Sequence, residues 1–288
     1  MKKSRFLIET FFVMTKPIAI QGIKGSFHHE VAQRYFSDKA EVVECMSFDG
    51  TVDHLLRGDT DYIVMALENS IAGSIIPNYA LIDNHNLSVV GEHYLDIQHN
   101  LLALNGQAIS DIKEVHSHPM ALLQCKVFFK NYPHIKLVEA KDTADVAKQI
   151  SEQNIKGTAA IASKNAAQLY DLSVLAASIQ TIKHNETRFV IVQRNNKNIE
   201  RKRINKASLK FELDHKRGSL ATILNVMSDC KLNLTKIQSL PKIESPWKYA
   251  FFVDVTFEDY KDYEKATSIM KLMAENFKVL GEYKNARL

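Results

Sequence analysis

The sequence predicts an α/β protein in two parts, and three observations support this prediction. From about residue 17 to 193, short apolar runs alternate with amphipathic helical stretches, the order typical of sheets built mostly from parallel strands. A basic stretch over residues 194–206 then interrupts the pattern. The remaining residues, 207–288, read strand, helix, strand, strand, helix, strand, which is the order of the ferredoxin-like plait. We therefore predict a two-lobed α/β domain, a linker and a second, smaller domain.

Composition and charge exclude several classes of protein. A chain of 288 residues is long enough for two domains with a core each, and its 24% charged and 45% apolar residues are typical of a globular protein. The net charge of +4 suits a small anionic substrate better than a nucleic-acid duplex, because a duplex requires a concentrated basic face.

The cysteines indicate a reducing environment. The three residues, Cys45, Cys125 and Cys230, are far apart and odd in number, which argues against a disulfide framework and fits the cytoplasm. Neither a Cys-x-x-Cys nor a His-Glu-x-x-His pattern occurs, so the sequence predicts no metal site.

The first residues partly resemble a signal peptide. Their apolar stretch, residues 6–13, is interrupted by Glu9 and Thr10, and no small-residue cleavage site follows it. The stretch is also too short to span a bilayer. We expect a loose extension before the first strand and no membrane segment, and the sequence leaves open whether Met1 or Met14 is the natural start.

The first strand and helix form a unit that can present backbone N–H groups to an anion. Residues 17–22 read as a buried strand that ends in a turn, and Ser26 is a plausible N-cap for the helix that follows. The glycine spacing is neither the dinucleotide nor the P-loop fingerprint. For His28 and His29, on the first helical turn, we expect a solvated or helix-face position, with the rim of a site as the alternative.

Three polar residues follow a buried strand further along. The near-continuous apolar run 62–67 predicts a strand covered on both faces, and Glu68, Asn69 and Ser70 come directly after it, before Gly73. Side chains in this place are suited to contact a ligand. The structural alternative is a turn stabilised by Asn69 and a helix cap by Ser70.

The chain is expected to cross into a second α/β lobe over residues 87–104, in two extended pieces around Gly91. A later strand leads to Ser117, and a helix begins just after it with a proline, which is favoured at that position. Gln124 lies about two turns along this helix, so Ser117 and Gln124 can line one cleft. The neighbouring histidines have no carboxylate at ligand spacing, which argues against a metal there.

A polar loop and a buried strand close the first domain. The stretch Asn185 to Phe189 brings a hydroxyl, from Thr187, and a guanidinium, from Arg188, to the start of the apolar run 190–192. Ligands in α/β sheets usually bind at strand ends. The basic stretch that follows lacks interleaved aromatic residues, so we interpret it as a solvated linker rather than a nucleic-acid surface.

Taken together, these motifs resemble the prephenate dehydratase family. The matching blocks occur in the family's order, and they are Gly22–Phe27, Glu68-Asn69-Ser70 with Gly73, Ser117-His118-Pro119 with Gln124-Cys125, Ala159–Ala162 and Asn185-x-Thr187-Arg188-Phe189. The resemblance covers nearly the whole chain. It implies a periplasmic-binding-protein-like catalytic domain of two lobes at 17–193 and an ACT regulatory domain at 207–288.

The resemblance also implies the reaction and the roles of the site residues. Prephenate loses CO2 and its ring hydroxyl to give phenylpyruvate and water, without a cofactor. Thr187 is expected to be catalytic, as a hydrogen-bond donor to the departing oxygen. Arg188 either binds a substrate carboxylate or holds the loop, and Phe189 packs in the core or against the ring. The substrate-binding residues are expected to be Asn69, Ser70, Ser117, Gln124, Arg188 and Phe189.

The C-terminal blocks suggest a regulatory ligand, L-phenylalanine. The residues that resemble the family's contacts to this amino acid are Gly218, Ser219, Leu220, Asn233 and Leu234. Gln238 and Leu240 stand where the family has Glu and Arg, so feedback regulation is left open. We expect a homodimer or homotetramer.

Two other functions remain open at this stage. Arogenate dehydratases differ only in acting on a substrate with an amine in place of the keto group, and no residue in the sequence decides between the two. A two-lobed cleft can also bind a small anion without catalysis. No helical stretch precedes residue 17 that is long enough for a fused chorismate mutase.

Overall fold

The structure is a computed structural model of the chain. It describes residues 16–194, 200–214, 216–241 and 249–287. Both candidate start residues, Met1 and Met14, and part of the predicted linker lie outside the described residues.

The first lobe is a mixed sheet with helices on both faces. Its elements are β1 (Ile18–Gln21), α1 (Phe27–Tyr35), β2 (Val42–Cys45), α2 (Phe48–Arg57), β3 (Tyr62–Asn69), β4 (Gly73–Ser74), α3 (Ile76–Asn84), β5 (Ser88–Asp96) and, much later in the chain, Glu186–Gln193. The first three long strands are parallel, in the order β2, β1, β3. The late strand lies between β3 and β5 and is antiparallel to both. The prediction of parallel strands is therefore confirmed for only part of this sheet.

The second lobe repeats the design on a smaller scale. Its elements are β6 (Asn100–Ala103), β7 (Glu114–Ser117), α4 (Pro119–Phe129), β8 (Lys136–Glu139), α5 (Thr143–Glu152), β9 (Thr158–Ala162), α6 (Lys164–Leu169) and β10 (Ser173–Ala176), after which β11 (Glu186–Gln193) returns to the first lobe. The strand order is β10, β6, β9, β7, β8. Apolar side chains fill both faces of this sheet, and the small residues of β9 let α5 pack closely.

Two short segments connect the lobes, residues 97–99 and 177–185. They are joined by hydrogen bonds from Ile97 N to Asn185 O (2.6 Å) and from Ile179 N to His99 O (2.8 Å). The expected break at Gly91 was wrong, because β5 stays paired with β11 through Asp96. Gly91 serves instead as a point of close packing, since a Cβ there would lie 2.1 Å from the Tyr35 hydroxyl.

The C-terminal domain has the predicted βαββαβ order. Its elements are β12 (Lys206–Leu213), α7 (Ser219–Asp229), β13 (Asn233–Pro241), β14 (Tyr249–Thr256), α8 (Tyr260–Met273) and β15 (Glu275–Tyr283). The strands are antiparallel, in the order β13, β14, β12, β15. The last helix ends at Met273, because pairing with β12 draws Glu275 into the sheet.

The C-terminal domain and the first lobe share one ten-stranded sheet. Strands β15 and β5 meet at Gly281 and Val89. A glycine is required at this contact, since a Cβ on Gly281 would lie 2.0 Å from Val89 O. Phe252 and Tyr283 extend the apolar core of the first lobe into the second domain. In the described part of the chain, no helix is long and apolar enough to cross a bilayer.

Three basic residues predicted to be solvated are buried instead. Lys206, assigned to the linker, is the first residue of β12 and is only 3% exposed, because its ammonium is bonded to Glu92. His28 and His29 are also buried. The helix that carries them packs its first turn against the sheet rather than facing water, and the His28 ring lies edge-on to Phe189 with 5.0 Å between ring centroids.

Candidate functional site

The candidate site lies where the two connecting segments meet the end of β3. Thr187 is the second residue of β11 and pairs in register with Asn69, the last residue of β3. Because side chains alternate along a strand, Thr187 and Arg188 point to opposite faces of the sheet. We call the face of β11 that bears Thr187 and Phe189 the cleft face, and the face that bears Glu186 and Arg188 the back face.

Asn69 uses its whole carboxamide to fix this end of the sheet. Its Nδ2 donates to Thr187 Oγ1 at 2.9 Å and to Asn185 Oδ1 at 2.7 Å. Its Oδ1 accepts from the backbone N–H groups of Ile71 and Ala72, at 3.0 and 2.8 Å. Because Nδ2 donates twice and Oδ1 accepts twice, Asn69 has little hydrogen-bonding capacity left for a ligand. Its position supports the expected turn and makes it an orienting residue for Thr187.

The bond from Asn69 determines what the Thr187 hydroxyl can do. A hydroxyl has one hydrogen to donate and two lone pairs. Since Thr187 Oγ1 already accepts from Asn69, its own hydrogen can be donated to a group bound in the cleft. The side chain is only 6% exposed, so such a hydrogen bond would form with little competition from water.

The network continues into the second lobe. Asn185 Nδ2 donates to Gln124 Oε1 at 3.0 Å, and Gln124 Oε1 also lies 2.9 Å from His99 Nε2. Because this oxygen can only accept, His99 carries its hydrogen on Nε2. Among the described residues the Gln124 Nε2 group makes no hydrogen bond, so its two N–H groups are available for a ligand. We refer to these five side chains, Thr187, Asn69, Asn185, Gln124 and His99, as the amide network.

Two members of the amide network were missed in the sequence. Asn185 lies inside the Asn185-x-Thr187 motif, and that motif was the available signal. His99 stands alone, with no motif around it. Only the crossing of the two connecting segments brings it to Gln124, and burial lowers the pKa of its imidazole even though the hydrogen bond to Gln124 acts in the opposite direction.

The other expected substrate residues make contacts within the protein in this structure. Ser117 is fully buried and donates its hydroxyl to Ile161 O at 2.8 Å, which joins β7 to β9. Ser70 accepts from Glu186 N at 3.0 Å and so fastens the start of β11. Phe189 belongs to the apolar core above α1, which is one of its two expected places.

Arg188 does not face the cleft. Its side chain is 4% exposed and points to the back face, where Nε donates to Glu92 Oε2 at 2.7 Å and Nη2 donates to the Tyr283 hydroxyl at 2.8 Å. Nη1 forms an ion pair with Asp254 of the C-terminal domain. Of the two expected roles for Arg188, this geometry favours holding the strand over binding a substrate carboxylate, because two carboxylates already occupy its fork.

The charges around Arg188 balance one another. Lys206 donates to Glu92 Oε2 at 2.8 Å, so two cations face the carboxylates of Glu92 and Asp254. Burial alone would raise the pKa of the Asp254 carboxyl, but the charge of Arg188 and a hydrogen bond from Ser208 hold it below its ordinary value. We call this group, together with Tyr283, the back-face network.

The cleft face keeps its titratable groups neutral. Burial lowers the pKa of His28 to about 3, and its Nε2 has no hydrogen-bond partner among the described residues. The side chain bonded to Thr187 is thus an amide, that of Asn69, and the two imidazoles lie further away, His28 against Phe189 and His99 against Gln124. Within the described residues, no group of three or more His, Cys, Asp or Glu side chains is arranged to hold a metal ion.

The residues expected to contact a regulatory ligand fall into two separate places. Gly218, Ser219 and Leu220 are at the start of α7, whereas Asn233 and Leu234 begin the strand that follows its end. The 11 residues of this helix span about 16 Å. One copy of the chain therefore does not bring both segments to a single small ligand.

The fold and the site define a class of protein: a two-lobed α/β enzyme whose cleft holds an oriented hydroxyl at the junction of the lobes, with a βαββαβ domain attached. A family model for prephenate dehydratase matches residues 18–197. The chain belongs to the prephenate dehydratase family.

Several known proteins are similar to this chain. A protein of Arabidopsis thaliana named arogenate dehydratase/prephenate dehydratase 2, chloroplastic, is 35% identical over 278 residues, covering 92% of this chain and 72% of that protein. A bifunctional chorismate mutase/prephenate dehydratase of Buchnera aphidicola is 30% identical over 271 residues, covering 93% and 70%. The structure of a prephenate dehydratase from Arthrobacter aurescens in complex with L-Phe has the same fold, with a TM-score of 0.85, 24% identity, and coverage of 94% of this chain and 90% of that one.

Proposed function

We propose that the chain converts prephenate to phenylpyruvate in the cleft beside Thr187. The bond between the ring and its carboxylate breaks, its electron pair enters the ring, and the bond to the ring hydroxyl on the opposite side breaks. The departing oxygen takes up one proton and leaves as water, together with CO2. Aromatisation drives the reaction, and the barrier lies in the poor leaving ability of hydroxide.

Thr187 meets this difficulty as a donor to the leaving oxygen. The observation that carries the proposal is the hydrogen bond from Asn69 Nδ2 to Thr187 Oγ1, because it directs the hydroxyl hydrogen away from Asn69. A preorganised donor aimed at the position where negative charge develops stabilises the transition state more than the substrate. Thr187 is a poor acid, so its role is to orient the departing oxygen and stabilise its developing charge, and the one proton consumed per turnover comes from the bulk solvent.

Gln124 is proposed to orient the substrate from the second lobe. His99 and Asn185 both hold its Oε1, which directs its Nε2 group toward a bound ligand. A hydrogen bond of this kind places the ring against Thr187 and lowers the entropic cost of reaching the reactive geometry. Asn69 is assigned to orientation of Thr187, and Arg188 is left out of the substrate contacts.

The test is turnover with prephenate and with arogenate, measured as phenylpyruvate and phenylalanine formed. Thr187→Val removes the donor and keeps the shape, so we expect kcat to fall about 10²–10³-fold, with only a small fall in melting temperature from the lost Asn69–Thr187 hydrogen bond. Thr187→Ser keeps a hydroxyl and is the matched control. Near-normal turnover by Thr187→Val would contradict the assignment, and faster turnover of arogenate would identify this chain as an arogenate dehydratase.

Regulation is a further part of the proposal. We assign the βαββαβ domain to the ACT type, with L-phenylalanine as its ligand, and the separation of its two ligand segments favours a site completed by a second copy of the chain in a homodimer or homotetramer. Calorimetry with L-phenylalanine tests this, combined with sedimentation. No heat at millimolar L-phenylalanine, or a monomer that binds it, would contradict the assignment.

A further inference from the structure

The C-terminal domain forms three ion pairs with the back face of the sheet near Thr187, two with β11 and one with the neighbouring strand β3. Thr187 lies between Glu186 and Arg188, and both of these back-face residues are paired with residues of the second domain. Glu186 is bonded to Arg287, and Arg188 to Asp254.

The third point lies beside Asn69. Glu68 precedes Asn69 on β3 and pairs with Arg188 in the sheet register. Its carboxylate is bonded to Lys236 of β13 at 2.6 Å, and Lys236 also donates to Ser74 Oγ at 2.8 Å. Thr187 and Asn69 form the hydrogen bond on the cleft face. The residues next to them in sequence, Glu186 and Arg188 on β11 and Glu68 on β3, form ion pairs with the second domain on the back face.

We propose that Lys236, Asp254 and Arg287 are positioning residues that orient the Thr187 hydroxyl by holding β11 and the end of β3 in place. This inference rests on the proposed function. A strand end moves as a unit, because its backbone carries both faces, so a shift of Glu186 or Arg188 also shifts Thr187. A displacement of about 1 Å at a reacting group can cost 10²-fold in rate. The second domain therefore acts on kcat through the strand, without touching the substrate.

The three contacts differ in how easily they open. All three pairs line a cavity of about 290 Å³ between the domains, together with Ser70 and Tyr94. The side chains of Arg188 and Asp254 are each only 4% exposed, whereas those of Arg287 and Glu186 are 59% and 41% exposed. The Arg287 guanidinium lies 4.1 Å from the centroid of the Tyr94 ring, at the edge of this cavity. The Arg287–Glu186 pair is exposed, and the Lys236–Glu68 pair is partly exposed through Glu68, which is 37% exposed beside the 10% of Lys236. Ion pairs open to solvent contribute little to stability, so we expect both outer pairs to be replaceable without unfolding the protein.

The experiment uses the full chain with Lys236→Gln and Arg287→Gln, alone and combined. We expect the combined variant to lower kcat by about tenfold with KM within about twofold, because orientation is lost while substrate contacts remain. The exchanged pairs Glu186→Arg with Arg287→Glu, and Glu68→Lys with Lys236→Glu, should restore kcat to within about twofold of wild type. A purely structural role would change the melting temperature and would not be rescued in kcat.

The matched control is Arg201→Gln, which removes an exposed ion pair with Glu264 inside the second domain. Its kcat should equal that of wild type. A combined variant with wild-type kcat, or exchanged pairs that do not restore kcat, would overturn the proposal while leaving the proposed function intact. A wild-type chain without turnover of either substrate would instead contradict the proposed function. In that case, amide hydrogen exchange at β11 that is faster in the combined variant but not in Arg201→Gln would support the positioning of β11 by the second domain. Unchanged exchange in the combined variant would overturn it.

Discussion

The two faces of β11 hold the same strand in opposite ways. On the cleft face, Thr187 is oriented by neutral amides, and the nearby imidazoles have pKa values lowered by burial. On the back face, Arg188 and Lys206 form buried ion pairs with the carboxylates of Glu92 and Asp254.

This difference shows how one strand can serve chemistry and anchorage together. The charges of the back-face network satisfy one another, so they fix position and have no capacity left for a ligand. Neutral donors on the cleft face can instead direct their remaining hydrogens to an anion. Loss of a charge from the buried back-face network is expected to lower stability most, changes in the two outer ion pairs to lower kcat, and changes on the cleft face to affect mainly turnover.

The largest expected effect is on the back face, from Arg188→Met. Removing the guanidinium leaves Glu92 and Asp254 buried with one cation fewer, which should lower the free energy of unfolding by about 3–5 kcal/mol. Urea denaturation measures this. Arg34→Met, which breaks an exposed pair with Glu30 on α1, is the control and should change it by no more than about 0.5 kcal/mol. A loss below 1 kcal/mol for Arg188→Met would show that the network is not the anchor described.

The second prediction reverses one hydrogen bond on the cleft face. In Asn69→Asp the carboxylate can still accept from Ile71 N and Ala72 N, but it must also accept from Thr187, which turns the hydroxyl hydrogen away from the cleft. The bond to Asn185 Oδ1 is lost as well, because a carboxylate cannot donate. We expect kcat at saturating substrate to fall by about 10²-fold or more, which is close to the effect of losing one oxyanion donor. The free energy of unfolding, measured in urea, should change far less than in Arg188→Met. If kcat stays within threefold of wild type, the direction assigned to this bond is wrong.

Much of the architecture could be predicted from local pattern. The alternation of apolar runs and amphipathic stretches predicted the α/β class of the first domain, and the order of elements predicted the βαββαβ domain. Sequence motifs also brought Asn69, Gln124 and Thr187 into one site, although they are far apart in the chain.

The errors concern features that depend on tertiary contacts. Strand alternation already separates Thr187 from Arg188, but what covers the back face depends on Asp254 and Tyr283, which lie 66 and 95 residues further along the chain. Lys206 looked like part of a charged linker because its partner, Glu92, is 114 residues away. His99 has no local pattern at all and is defined only by the crossing of two segments.

The third prediction concerns acid stability and the neutrality of the cleft face. His28 has a folded pKa of about 3 against an ordinary value of 6.5, so the unfolded chain binds a proton that the folded chain does not over this range. Stability therefore falls as pH drops below 6.5, by about 1.4 kcal/mol per pH unit from this residue. His29, His93 and His99 have pKa values lowered by burial as well and add to the slope.

Replacing His28 tests its share of that slope. His28→Leu should reduce the loss of unfolding free energy between pH 6 and pH 5 by about 1 kcal/mol, measured by urea denaturation at each pH. His85→Leu, at the end of α3, changes a histidine outside this core and should leave the slope unaltered. If the dependence of unfolding free energy on pH is unchanged in His28→Leu, then His28 binds protons equally in the folded and unfolded chains over this range, and the prediction is wrong.

The smallest expected effect is at the far end of the amide network, in His99→Leu. The imidazole supports Gln124 through one hydrogen bond, whose net value is about 1 kcal/mol, so substrate affinity should weaken by about fivefold while Thr187 keeps its bond from Asn69. Steady-state kinetics would then show a higher KM and a nearly unchanged kcat, the reverse of Asn69→Asp. His99→Gln keeps an N–H at the position of Nε2 and should retain most of the affinity. A fall in kcat as large as that of Asn69→Asp would mean that His99 takes part in the proton transfer, and the neutral network would then be part of the chemistry rather than a scaffold for it.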